Sequence, residues 1–138
     1  MDLLEPVPSL NLYQPDWPIR TYHGQHPPAR MISGFSGHNG QLVDSLLCGG
    51  SVISGGRVIH SILSPKVRID DSAIVEDSIL FEGVRVGAGA HLSRCIVDKD
   101  IEIPAGIKIG AGLADPFDGF TVSEGGVTVV PKGCFFRE

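Results

Sequence analysis

The side chains able to do chemistry in this 138-residue chain are few and scattered. Its histidines, His23, His26, His38, His60 and His91, show no metal-ligand spacing, and neither His60 nor His91 has the Cys or Asp arrangement that marks a nucleophile system. Cys48, Cys95 and Cys134 are odd in number and form no CxxC pair, which predicts free structural thiols. The glycine pairs Gly49-Gly50 and Gly55-Gly56 are followed by no helical pattern, so they lack the strand-to-helix setting of a phosphate-binding loop. What remains is positive charge. Arg94, Lys99, Lys132 and Arg137 fall late in the chain, and such groups gathered on one surface bind phosphorylated small molecules. The expectation is therefore no catalytic residue and no metal site, with an anionic effector held at those four positions.

The elements that would position these residues come from a repeat. Triplets with an aliphatic third residue recur about every six positions: Ser45-Leu46-Leu47, Ser51-Val52-Ile53 and Arg57-Val58-Ile59, then three further sets beginning at Ser61, Ser78 and Cys95. Coils starting at 45, 61, 78 and 95 have periods of 16, 17 and 17 residues. A period of six is neither helical nor strictly alternating. It fits a strand of about three residues followed by a bend, and three such sides close a triangle. The fold class is all-β: a parallel β-helix of about four triangular coils, with an extended N-terminal arm and a C-terminal hairpin cap. The third triplet residue is Leu, Ile or Val in every case and is assigned to the interior, opposite small first residues. Arg57 interrupts the small first positions, which predicts a bulge or a rim location there. Residues 1–40 read as a linker arm, 41–112 as the β-helix, and 113–138 as the cap hairpin and tail. The arm carries six of the ten prolines, with Tyr13, Trp17 and Tyr22 as apolar anchors. Phe120–Ser123 and Val127–Val130 flank Glu124-Gly125-Gly126 as a hairpin that hides the last coil.

Middle residues of each triplet face outward. On the first side these are Leu46, Ile62, Ile79 and Ile96, an apolar ladder that predicts a cover: a terminal segment of the chain itself, or an interface with another domain or subunit. A net charge of −5 argues against nucleic acid as a partner. No stretch of about eighteen apolar residues and no signal-like start exist, so the expectation is a cytoplasmic protein without membrane contact. The repeat leaves open a hexapeptide-type acyltransferase using His60 or His91 as general base at a trimer interface.

Longer motifs narrow this. Leu12-Tyr13, Trp17-Pro18-Ile19-Arg20-Thr21-Tyr22, Pro27-Pro28-Ala29-Arg30, the run Asp44 to Gly55, Arg94-Cys95-Ile96-Val97-Asp98-Lys99 and Ile103-Pro104-Ala105-Gly106 resemble the C-terminal portion of bacterial ADP-glucose pyrophosphorylases (glucose-1-phosphate adenylyltransferases). The resemblance covers nearly the whole chain. It implies a left-handed β-helix, a hand that the general preference for right-handed crossovers would not give. It implies a regulatory and oligomerisation domain whose parent enzyme joins ATP and glucose 1-phosphate into ADP-glucose and pyrophosphate, with Mg2+, in glycogen biosynthesis. The catalytic domain precedes this region in the family, the enzymes are homotetramers, and phosphorylated metabolites or nucleotides regulate them. Lys99 matches a basic, effector-linked position and Lys132 a tail position of similar character. The tail departs from the family around Cys134 to Phe136, which leaves the effector's identity open.

Overall fold

The computed structural model describes residues 2–12, 14–16, 24–110 and 120–134. After a 3-10 turn at Asp2–Leu4 the described elements are all strands: β1 (Arg30–Ile32), β2 (Gln41–Val43), β3 (Leu46–Leu47), β4 (Val52–Ser54), β5 (Arg57–Ile59), β6 (Ile62–Leu63), β7 (Arg68–Ile69), β8 (Ile74–Glu76), β9 (Ile79–Leu80), β10 (Arg85–Val86), β11 (His91–Ser93), β12 (Cys95–Val97), β13 (Glu102–Ile103), β14 (Lys108–Gly110), β15 (Thr121–Val122) and β16 (Thr128–Val130). Every third strand joins the same sheet. The orders are β1-β4-β7-β10-β13, then β2-β5-β8-β11-β14, then β3-β6-β9-β12-β16-β15. All pairings are parallel except β15 with β16. The result is the predicted triangular β-solenoid, and the Phe120–Val130 hairpin lays its second strand on β12 as a further rung.

Inward third residues build the core. Ile53, Val58, Leu63, Ile69, Val75, Leu80, Val86, Leu92, Val97, Ile103, Ile109 and Val130 are essentially inaccessible. Each contributes about 1.5–3 kcal/mol by leaving water, before chain entropy is subtracted. The register corrects one coil of the sequence reading. Val58 stands opposite Val75 and Arg57 opposite Ile74, so Val58 is a core residue and Arg57 an exposed outward one, while Ile59 leaves the core column and pairs with Glu76. The missing residue of the 16-residue coil is therefore lost at the Ser54-Gly55 corner, before β5. Gly56, buried, takes the inward place that Ala73 and Ala90 hold in later coils. No bulge is needed.

Small first positions on the third sheet are polar for a reason that packing alone does not supply. Ser45, Ser61 and Ser78 each donate from Oγ to the carbonyl two residues back, at 2.6–2.8 Å. Each hydroxyl also accepts the backbone N–H one rung further on, from Ser61, Ser78 and Cys95. This seam runs along a triangle edge. The αL residues Asp44, His60, Asp77 and Arg94, one before each seam residue, make that edge turn tightly. The stack also starts within the stretch read as arm: Arg30–Ile32 pairs with β4, and Pro27 accepts the Gly50 N–H.

Candidate functional site

Lys99 and Lys132 each lie two residues beyond a paired strand end, after Val97 and Val130. They therefore occupy the same corner on successive rungs, which parallel strands hold about 4.8 Å apart. Both are exposed, and neither ammonium has an ion-pair partner among the described residues. The other corner cation, Lys66, is 3.7 Å from Glu82. Two exposed lysines on adjacent rungs can both reach a multiply charged anion, for which phosphate matches in charge. Arg94 does not join them. It sits at the opposite end of β12, where its guanidinium donates to the Gly125 carbonyl at 2.6 Å and ties down the hairpin turn. Arg137 lies outside the described residues, as do Tyr13, Trp17 and Tyr22.

The outward ladder is present in register: Leu46 opposite Ile62, Ile62 opposite Ile79, and Ile79 opposite Ile96. Val129 continues it on the hairpin strand, a member the triplet count missed because it stopped at the fourth coil. All five are half-buried. Part of the cover comes from the chain itself, since Asp2 and Leu3 border a groove of about 400 Å³ with Ile62, Ile79 and Ile96.

The two histidines considered for acyl transfer each have a carboxylate neighbour that the sequence did not reveal. His60 Nδ1 is 2.6 Å from Asp77 on the next rung of an exposed corner, and His91 Nε2 is 3.5 Å from Glu76. Cys48 borders a cleft of about 700 Å³ with His26 and Lys66, but burial pushes its thiol pKa up, away from a nucleophile's. No group of three or more potential ligands among the described residues could hold a metal.

One polar cluster escaped the sequence reading. Asp71 accepts from both the Oγ and the backbone N–H of Ser36, and those bonds hold its carboxyl below the ordinary aspartate pKa. His38 Nδ1 lies 2.6 Å from Ser36 Oγ, 3.2 Å from Ser72 Oγ and 3.8 Å from Asp71. A hydrolytic triad would need the serine and the acid on opposite ring nitrogens. Here both face Nδ1, so the cluster works as a latch, fastening the loop 33–40 to the next coil. Asp71 Oδ1 is wedged between Gly34 and Gly55, where a Cβ would approach it within 2.2 and 2.4 Å. Those glycines, with a Ser and a His between them, were the available signal, but nothing local placed Asp71 beside them.

Residues 27–130 match the family described as GlmU-like, C-terminal hexapeptide. The chain belongs to that family. Its relatives include glucose-1-phosphate adenylyltransferase 2 of Vibrio cholerae, 49% identical over 136 residues that make up 99% of this chain and 33% of the relative. The glucose-1-phosphate adenylyltransferase of Deinococcus radiodurans is 45% identical over 137 residues, again 99% of this chain and 33% of the relative. That of Trichlorobacter lovleyi is 44% identical over 133 residues, or 96% and 32%. The chain thus matches the C-terminal part of these enzymes and spans about a third of their length. The acyltransferase alternative is not favoured by these matches. No helix among the described residues is long and apolar enough to cross a membrane.

Proposed function

We infer that this chain is the regulatory and assembly portion of a glucose-1-phosphate adenylyltransferase, acting in the cytoplasm in glycogen synthesis and packed against a nucleotidyltransferase domain in a homotetramer. The observation that carries the regulatory part is the stacking of Lys99 and Lys132, unpaired, at one corner of adjacent rungs. A phosphorylated metabolite or nucleotide spans two such ammonium groups, and the bound anion couples the last coil to whatever packs over that corner. The covered ladder supports packing against a further domain, with Leu46, Ile62, Ile79 and Ile96 as its apolar contact. Chemistry and Mg2+ belong to the domain that relatives carry ahead of this region.

The test joins the nucleotidyltransferase portion of the Vibrio cholerae relative ahead of this chain and measures ADP-glucose formation with Mg2+, adding fructose 1,6-bisphosphate or AMP. Either anion should shift the rate, and Lys99→Ala or Lys132→Ala should weaken its half-saturation by about ten- to a hundredfold, the worth of one charge-assisted contact. An unchanged response in both variants refutes the site. Turnover of ATP and glucose 1-phosphate by the 138-residue chain alone refutes the non-catalytic reading.

A further inference from the structure

His38 turns one ring nitrogen to the latch and leaves the other free. Asp71, an acceptor only when ionised, takes the hydroxyl hydrogen of Ser36, so Ser36 Oγ is left to accept the hydrogen that His38 Nδ1 carries, 2.6 Å away. That fixes the neutral tautomer. Nε2 then bears a bare lone pair and gains a hydrogen only when the ring becomes an imidazolium. Every contact of the ring with the latch is made through Nδ1.

The free edge of the ring borders a groove of about 410 Å³ together with Asn39, Gln41, Arg57, Ser72 and Ile74. Arg57 stands in register between Gln41 and Ile74, exposed, and its guanidinium has no ion-pair or hydrogen-bond partner among the described residues. On later rungs Arg68, Arg85 and Arg94 are held by Asp70, Glu102 and the Gly125 carbonyl. Asn39 Oδ1 accepts from Ser33, which leaves its amide hydrogens to donate into the groove. The lining holds no Asp or Glu, in a chain where acidic residues outnumber Lys and Arg 16 to 11. The clefts beside Lys66, beside Arg85 and along the ladder each include at least one carboxylate. Donors set around a permanent cation, with no acceptor-only group among them, suit an oxyanion.

We propose that this groove is a binding site for a small tetrahedral oxyanion, either free or carried as a phosphate monoester, held by the Arg57 fork and by His38 Nε2 in its protonated form. The site is separate from the effector corner, since Arg57 lies on β5 of the second sheet and Lys99 follows β12 of the third. Because Nδ1 already carries a hydrogen, binding the anion draws in a proton. The charged groups facing His38 are Asp71 behind the ring and Arg57 across the groove, while Glu76 and His91, further along the same sheet, lie 3.5 Å from each other.

Sulfate, whose charge is constant across neutral pH, is the probe, added to the 138-residue chain at constant ionic strength while the His38 ring resonances are followed by NMR. The expected result is a saturable shift with half-saturation of about a millimolar, weakened about tenfold by Arg57→Ala, the worth of one charge-assisted contact. Affinity should rise about tenfold for each unit of falling pH wherever His38 starts neutral, one proton being taken up per anion. Without sulfate, the thermal midpoint of Arg57→Ala should match the native chain, because the side chain it removes has no partner. Arg30→Ala and Lys99→Ala each remove one exposed cation elsewhere and should leave the shift unchanged. No saturable shift up to about 50 mM sulfate overturns the proposal. So does an affinity indifferent to pH, a loss shared equally by Arg30→Ala, or a loss seen with Lys99→Ala and not with Arg57→Ala. Glycerol phosphate as a second titrant separates the sources: tighter binding than sulfate supports a phosphorylated metabolite at this site, and equal binding supports the free anion.

Discussion

Ser78→Ala isolates the hydroxyl seam from the rest of the core. Ser78 is fully buried, its Oγ donating to the Glu76 carbonyl at 2.6 Å and accepting the Cys95 N–H at 3.2 Å. After the substitution the two partners fare differently. Glu76 still accepts the Arg94 N–H at 3.1 Å, so its carbonyl remains satisfied. The buried Cys95 amide loses its acceptor, at a cost of about 1–3 kcal/mol. For a domain of this size that lowers the thermal midpoint by about 4–12 °C. Ser78→Cys should cost less, because Cys95 already fills the next seam position and points its Sγ at the Ser93 carbonyl, 3.2 Å away. Ser93→Ala, on a half-buried hydroxyl outside the seam, should stay within about 0.5 kcal/mol of the native chain. Urea unfolding followed by circular dichroism measures all three. If Ser78→Ala matches Ser93→Ala, the seam is merely small and its hydrogen bonds add nothing.

Two further substitutions test the corrected register and the latch. Gly56→Ala should destabilise the chain measurably by thermal unfolding even though Ala73 and Ala90 fill the equivalent inward place, because after the shortened corner a Cβ there would come within 2.5 Å of Ile69 Cγ2; a neutral result would mean the coil can slide. Asp71 titrates below its ordinary range when folded, so its contribution is complete above that range and disappears as pH falls through the depressed folded value. Proteolysis within 33–40 should therefore accelerate only in acid for the native chain, and Asp71→Asn should cut quickly and without that acid step at neutral pH.

The core was legible in the sequence because a solenoid repeats its environment. An inward third position is filled by Leu, Ile or Val at every rung, so one pattern read four times is hard to mistake. It slipped at Arg57, where a period counted forward from Ser51 ran through a corner that had lost a residue. Counting back from Ser61 and noticing that Gly56 could stand for Ala would have restored it. The lysines could be found by type, but their stacking required β16 to lie on β12, and the residues between 110 and 120 conceal that spacing from any count. Arg94 read as part of the same cluster because sequence proximity ignores that a three-residue strand separates two corners of the triangle. The latch was beyond reach: Ser36 and Asp71 are 35 residues apart and meet only because two coils stack.

These successes and failures follow from how the fold divides its positions. Inward residues answer to one narrow triangular space, so their identities are dictated and carry no functional information. Outward and corner residues are released from that constraint, and there the chain differs from rung to rung. Apolar residues persist on one face from Leu46 to Val129, and Lys99 and Lys132 share one corner of the last two rungs. Neither is needed to hold the solenoid together, since the core column and the hydroxyl seam are built from other residues. Surface regularities that stability does not require point to partners, and these two lie apart, one along a face and one at a corner.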